Sequence, residues 1–65
     1  MPDYRTYILD QFGHFTGVNQ FERATDADAI EAARQFLDGR DLELWSEGRR
    51  IAFISRDGIV KTERA

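Results

Sequence analysis

The chain has 65 residues, no cysteine, and a formal net charge of −3 from twelve acidic and nine basic residues, which supports one small domain over residues 1–65 with no disulfide, no thiol nucleophile and no thiolate zinc site. Phosphate contacts need concentrated positive charge, so this mixed, slightly acidic balance argues against nucleic acid as the main partner. No apolar run approaches the ~18 residues of a membrane span, Met-Pro-Asp-Tyr-Arg does not read as a signal peptide, and a hydrophobic fraction of 42% with eight aromatics is enough for a folded protein rather than a disordered one. The absence of cysteine fits a reducing, cytoplasmic setting.

Tyr4 to Asp10 is rich in aromatic and β-branched residues and predicts a strand. Asp10-Gln11-Phe12-Gly13 predicts a turn, in which Asp bonds the backbone ahead of it and Gly supplies a positive φ. His14 to Glu22 is the returning strand. Thr25 or Asp26 then caps a helix over about residues 26–38, with Asp26, Asp28 and Glu31 at the positive end of its dipole. Ile30, Ala33 and Leu37 form its apolar stripe, widened by Ala29 and Phe36, and Gly39 follows as a stop. Asp41 to Ser46 predicts a third strand, Glu47-Gly48 a tight turn, and Arg49 to Ser55 a fourth strand. Asp57-Gly58 is a further turn signal, after which Ile59-Val60 fold back briefly and residues 61–65 fray.

The order is ββαββ, an α+β fold. The simplest sheet is four antiparallel strands in the order 2-1-3-4, with 2-1-4-3 as the rival, one helix on one face and a right-handed crossover. Alternation then sorts the side chains. Tyr7, Leu9, Phe15, Phe21, Leu42, Leu44, Ile51 and Phe53 are expected to meet Ile30, Ala33 and Leu37. The opposite face collects Tyr4, Thr6, Ile8, His14, Thr16, Val18, Glu43, Trp45, Ala52 and Ile54. One helix cannot cover both faces, so Tyr4, Ile8, Val18, Trp45 and Ile54 form the expected interface, unless Ile59-Val60 folds over it.

Catalytic constellations are sparse. His14 is the sole histidine and has no second group to orient it, so it reads as a turn or strand-end residue. Ser46 and Ser55 have no His–Asp partners. Asp26, Asp28 and Glu31 match a metal cluster by count, but capping and the helix dipole explain them. The glycines are isolated and cradle no phosphate. Arg49-Arg50 with Arg40, Arg56, Lys61 and Arg64 give a modest basic tilt, thinly interleaved with Trp45 and Phe53, where a nucleic-acid platform wants denser aromatics.

Tyr4-Arg5-x-Tyr7-x-Leu9-Asp10-x-x-Gly13-His14, the acidic-capped Ala-rich helix, Glu43-Leu44-Trp45 and Arg49-Arg50-Ile51-Ala52 together resemble a group of very short uncharacterised alphaproteobacterial proteins, over about residues 4–53. The resemblance implies a ββαββ fold and brings no activity, cofactor or functional residue with it. A weaker likeness, of fold alone, is to HicB-type antitoxins. The expectation is therefore a non-enzymatic protein-interaction module that forms a homodimer, or joins another protein, through the outer sheet face. No cofactor, metal or small-molecule ligand is indicated. The alternative is a small antitoxin-like or nucleic-acid-associated regulatory module working through the Arg49/Arg50 side.

Overall fold

The first hairpin closes where Asp10 organises its turn. Asp10 Oδ1 accepts from the backbone N–H of Phe12 (2.8 Å) and of His14 (2.9 Å), and Gly13 adopts φ 82°. The turn joins β1 (Asp3–Leu9) to β2 (Phe15–Glu22). In the computed structural model, which describes residues 1–62, α1 (Asp26–Arg34) follows, then β3 (Leu42–Ser46), β4 (Arg49–Ile54) and β5 (Val60–Thr62). The sheet has the order β2-β1-β3-β4-β5, and every neighbouring pair is antiparallel. The α+β class, the single helix and the 2-1-3-4 order match the expectation, but the sheet has five strands rather than four. Ser55 N–H bonds the Ile59 carbonyl and Gly58 N–H the Ser55 carbonyl, so the Asp57-Gly58 turn returns the chain alongside β4. Lys61 and Thr62 therefore pair with Phe53 and Ala52 instead of fraying. The rest of the expected frayed tail, 63–65, lies outside the described residues.

The helix starts as expected and stops early. Thr25 Oγ1 accepts from Asp28 N–H at 3.1 Å. At the other end Gln35, Phe36 and Leu37 bond the carbonyls three residues back, the tighter spacing that ends many helices, so the α-helix ends at Arg34 rather than near 38.

Directly paired residues share a face of the sheet, and the observed register puts the helix on the face opposite to much of the expectation. Tyr4 pairs with Phe21, Thr6 with Leu44, Ile8 with Leu42, Leu42 with Ile54, and Leu44 with Ala52. Tyr4, Leu42, Leu44, Ile51, Ala52 and Ile54 form the buried core with Ala29 and Ala33 of α1, and Ile8, Phe21, Ile30, Leu37 and Val60 pack against it. Tyr4, Ile8 and Ile54, expected at an outer interface, are thus core residues, as are Thr6 and Ala52. Tyr7, Phe15 and Phe53, expected under the helix, lie on the other side.

The causes are local. In β1 both alternations carry large apolar chains, so the pleat alone selects neither. In β4, Leu44 faces Ala52 while Trp45 faces Arg50. Ile51 is the extra residue of a bulge, and it is buried together with Ala52. In β2, Ile8 faces Gly17 while Leu9 faces Phe15, so Thr16 is extra and Phe15 reaches the same face as Val18. Alanine at 29 and 33 lets the helix backbone approach the sheet closely, with neither residue exposed.

Candidate interaction surface

The face away from α1 is ordered in two rows. One runs Val18–Tyr7–Glu43–Phe53–Lys61 across all five strands. The next runs Gln20–Arg5–Trp45–Arg50. Phe15 stacks on Tyr7 with ring centroids 4.6 Å apart, and Tyr7 meets Trp45 edge-on at 6.3 Å. Trp45 is held by its own chain. Its Nε1 donates to Glu43 Oε1 at 3.0 Å, and Arg50 donates to the other oxygen of that carboxylate at 3.4 Å.

Exposure is uneven across this face. Tyr7, Trp45 and Phe53 are partly buried, whereas Phe15 is 53% and Val18 55% exposed. Both belong to β2, an edge strand, which among the described residues has no neighbour on one side. A shallow groove of about 370 Å³ lies between Arg5, Tyr7, Trp45 and the Glu47-Gly48 turn. In that turn both residues have positive φ, 53° and 80°, as a type I′ hairpin requires. A second concavity, of about 520 Å³, lies between Phe12 and the Asp38–Arg40 loop, and its charges are of both signs.

Of the five residues expected at an interface, the structure leaves Val18 and Trp45 on the open face, and only Val18 is largely exposed. Tyr7 and Phe15 join them there. The signal for Phe15 was Gly17, since a glycine inside a strand marks a bulge. Arg49 and Arg50 do not act together. Arg49 lies 3.6 Å from Asp26 at the helix start and Arg50 beside Glu43 on the open face, so the basic pair is divided between the two sides of the sheet.

The residues weighed for chemistry have structural partners. His14 is 78% exposed, with Nδ1 3.7 Å from Asp10 Oδ2. The backbone N–H of His14, and then that of Phe12, holds the Asp10 carboxyl below the usual carboxylate range. Ser46 Oγ donates to the Asp3 carbonyl at 2.7 Å. Ser55 Oγ donates to the Asp57 carboxylate, whose pKa this bond lowers. Asp26 accepts from Tyr4, and Glu31 pairs with Arg34 at 3.3 Å. Among the described residues no group of three or more His, Asp or Glu side chains is placed to hold a metal ion, and no helix is long and apolar enough to cross a membrane. Comparison of the chain with models of known families, with curated proteins and with solved structures gives no match.

Proposed function

We propose that the chain is a non-enzymatic interaction module that associates with a second copy through the sheet surface its helix leaves open. The observation that carries this reading is the pair Phe15 and Val18, each more than half exposed beside the Tyr7 ring, on a domain whose other face is already closed by α1. Contiguous exposed apolar surface of this kind marks an interface on a small soluble domain. A second copy also supplies buried area that so short a chain lacks, and the gain grows with concentration.

The test is sedimentation over a wide concentration range, with Phe15→Glu/Val18→Glu as the control. The wild type is expected to shift from monomer towards dimer, and the double variant to remain monomeric with an unchanged circular dichroism spectrum. A wild type that stays at 7.5 kDa at every concentration overturns the reading.

A second reading rests on the row Arg5–Trp45–Arg50, in which an arginine stands beside the indole on each neighbouring strand. Aromatic faces interleaved with cations suit single-stranded nucleic acid. The carboxylate of Glu43 against Arg50 and the acidic Asp3 and Glu47 at the groove weigh against it. A gel shift with a single-stranded oligonucleotide, weakened by salt and abolished by Arg5→Glu, is the result that favours it. Absence of any shift at low salt removes it.

A further inference from the structure

We infer that the second copy docks by pairing its own β2 antiparallel to β2, edge to edge, so that two sheets join into one of ten strands. This rests on the self-association reading above, and it moves the seam from the open face as a whole to the β2 edge of that face, where Phe15 and Val18 stand.

The two edges of the sheet differ. Natural edge strands are protected from pairing by short length, lysine or proline. β5 has three described residues, one of them Lys61. β2 has eight residues, and Phe15 to Phe21 contains no charged residue and no proline. β1 takes the hydrogen-bonding groups on one side of β2, and among the described residues no strand takes those on the other. No residue of β2 is fully buried, and Phe15 and Val18, each more than half exposed, both stand on it. Tyr7, Trp45 and Phe53 further in are partly covered, while at the far edge Ile59, just before β5, is 57% exposed.

The geometry selects a second copy as occupant. Pairing β2 of one molecule with β5 of another would match eight residues against the three described residues of β5. Pairing β2 with β2 about one residue near its middle matches nearly the full length, and a two-fold axis through that residue closes it. Charge is compatible with this, since antiparallel pairing puts the single charge of the strand, Glu22, at opposite ends of the seam in the two copies.

Disulfide trapping tests this cleanly, because the chain has no cysteine of its own. Directly opposed residues of antiparallel strands have Cα atoms ~4.5–5.5 Å apart, within the ~4.4–6.8 Å that a disulfide spans. Val18→Cys, Asn19→Cys, Gln20→Cys and Trp45→Cys are made separately and oxidised mildly. At least one of the three β2 variants is expected to become a covalent dimer in high yield, with Trp45→Cys remaining uncrosslinked. Val18→Lys, a lysine placed on the exposed edge, is expected to raise the dimer dissociation constant tenfold or more without altering the fold. Crosslinking of Trp45→Cys alone means that the faces stack, which overturns edge pairing and leaves self-association standing. Equal crosslinking of all four indicates random collision and also overturns it. A dimer by sedimentation with no crosslink in any variant overturns the β2 seam, and a monomer at every concentration overturns self-association itself.

Discussion

Tyr4 Oη donates to Asp26 Oδ1 at 2.7 Å, tying the first strand to the first turn of the helix. The Tyr4 side chain is buried, and a buried phenol needs a partner. That partner sits on the helix, so the bond also selects the face of β1 that α1 covers. Burial first, and then the Asp26 carboxylate, pushes the Tyr4 pKa from 10.0 up to about 12. The sign follows from linkage. The unfolded phenol ionises near 10 and the folded one only near 12, so the stability held by neutral Tyr4 is complete below pH 10. It is lost as pH rises through that window. We predict that Tyr4→Phe loses about 1–2 kcal/mol at pH 7, for one hydrogen bond to a charged acceptor. The variant should also show a flatter decline in denaturation midpoint above pH 10. An unchanged alkaline decline in Tyr4→Phe would assign the effect to another group.

Thr6 sits in the middle of the same strand with no exposed surface, and its Oγ1 is the buried side-chain atom without a hydrogen-bond partner among the described residues. A buried hydroxyl left without a partner costs about 1–3 kcal/mol. Valine has nearly the same shape and no such group. Thr6→Val is therefore expected to raise the urea midpoint, by the equivalent of about 1 kcal/mol or more. A lower midpoint would show that the hydroxyl is bonded in solution.

Leu44 is fully buried at the centre of the core, whereas Leu37 lies beyond the end of α1 and packs against the core only in part. Removing a fully enclosed leucine side chain costs about 2–5 kcal/mol, a large share of what a domain of this size has. Leu44→Ala is expected to be mostly unfolded at 37 °C, and Leu37→Ala to lose distinctly less. Thermal melts compare the two directly, and equal losses would contradict the burial difference.

Much of the architecture was legible because its signals are local. The Asp10–Gly13 turn, the Thr25 cap and the Glu47-Gly48 hairpin each depend on a few adjacent residues, and all three form as expected. With one helix between two hairpins, 2-1-3-4 was the simpler of two possible orders, and it is the one that forms. Which face each strand buries did not. That depends on the extra residues Thr16 and Ile51, each of which resets the alternation, and on a β1 that is apolar in both phases. The expected interface suffered most, because it was assembled strand by strand from that alternation. Val18 and Trp45 kept their place on the open face, while Tyr4, Ile8 and Ile54 went to the core. The fifth strand was partly visible as the Asp57-Gly58 turn. Instead of covering the open face, the return segment packs Val60 against the core on the helix side.

Trp45 was expected as a contact residue, and on the open face it is also held by its own chain. Its indole N–H is bonded to Glu43, Glu43 to Arg50, and its ring meets the edge of Tyr7. The Glu43 side chain is only 14% exposed, so this bond forms where water competes poorly. Glu43→Ala leaves the indole donor without its acceptor and is expected to cost about 1–2 kcal/mol. Quenching of Trp45 fluorescence by iodide or acrylamide should rise with it. Glu43→Gln keeps an acceptor for the indole and loses only the charge opposite Arg50, whose side chain is 41% exposed, so about 0–1 kcal/mol is expected. Neither variant touches β2, and the concentration dependence of the mass is expected to remain that of the wild type in both. If Glu43→Ala instead abolished association with the fold intact, the seam would have to include Trp45, and the role of the indole as an internal brace for the open face would be wrong.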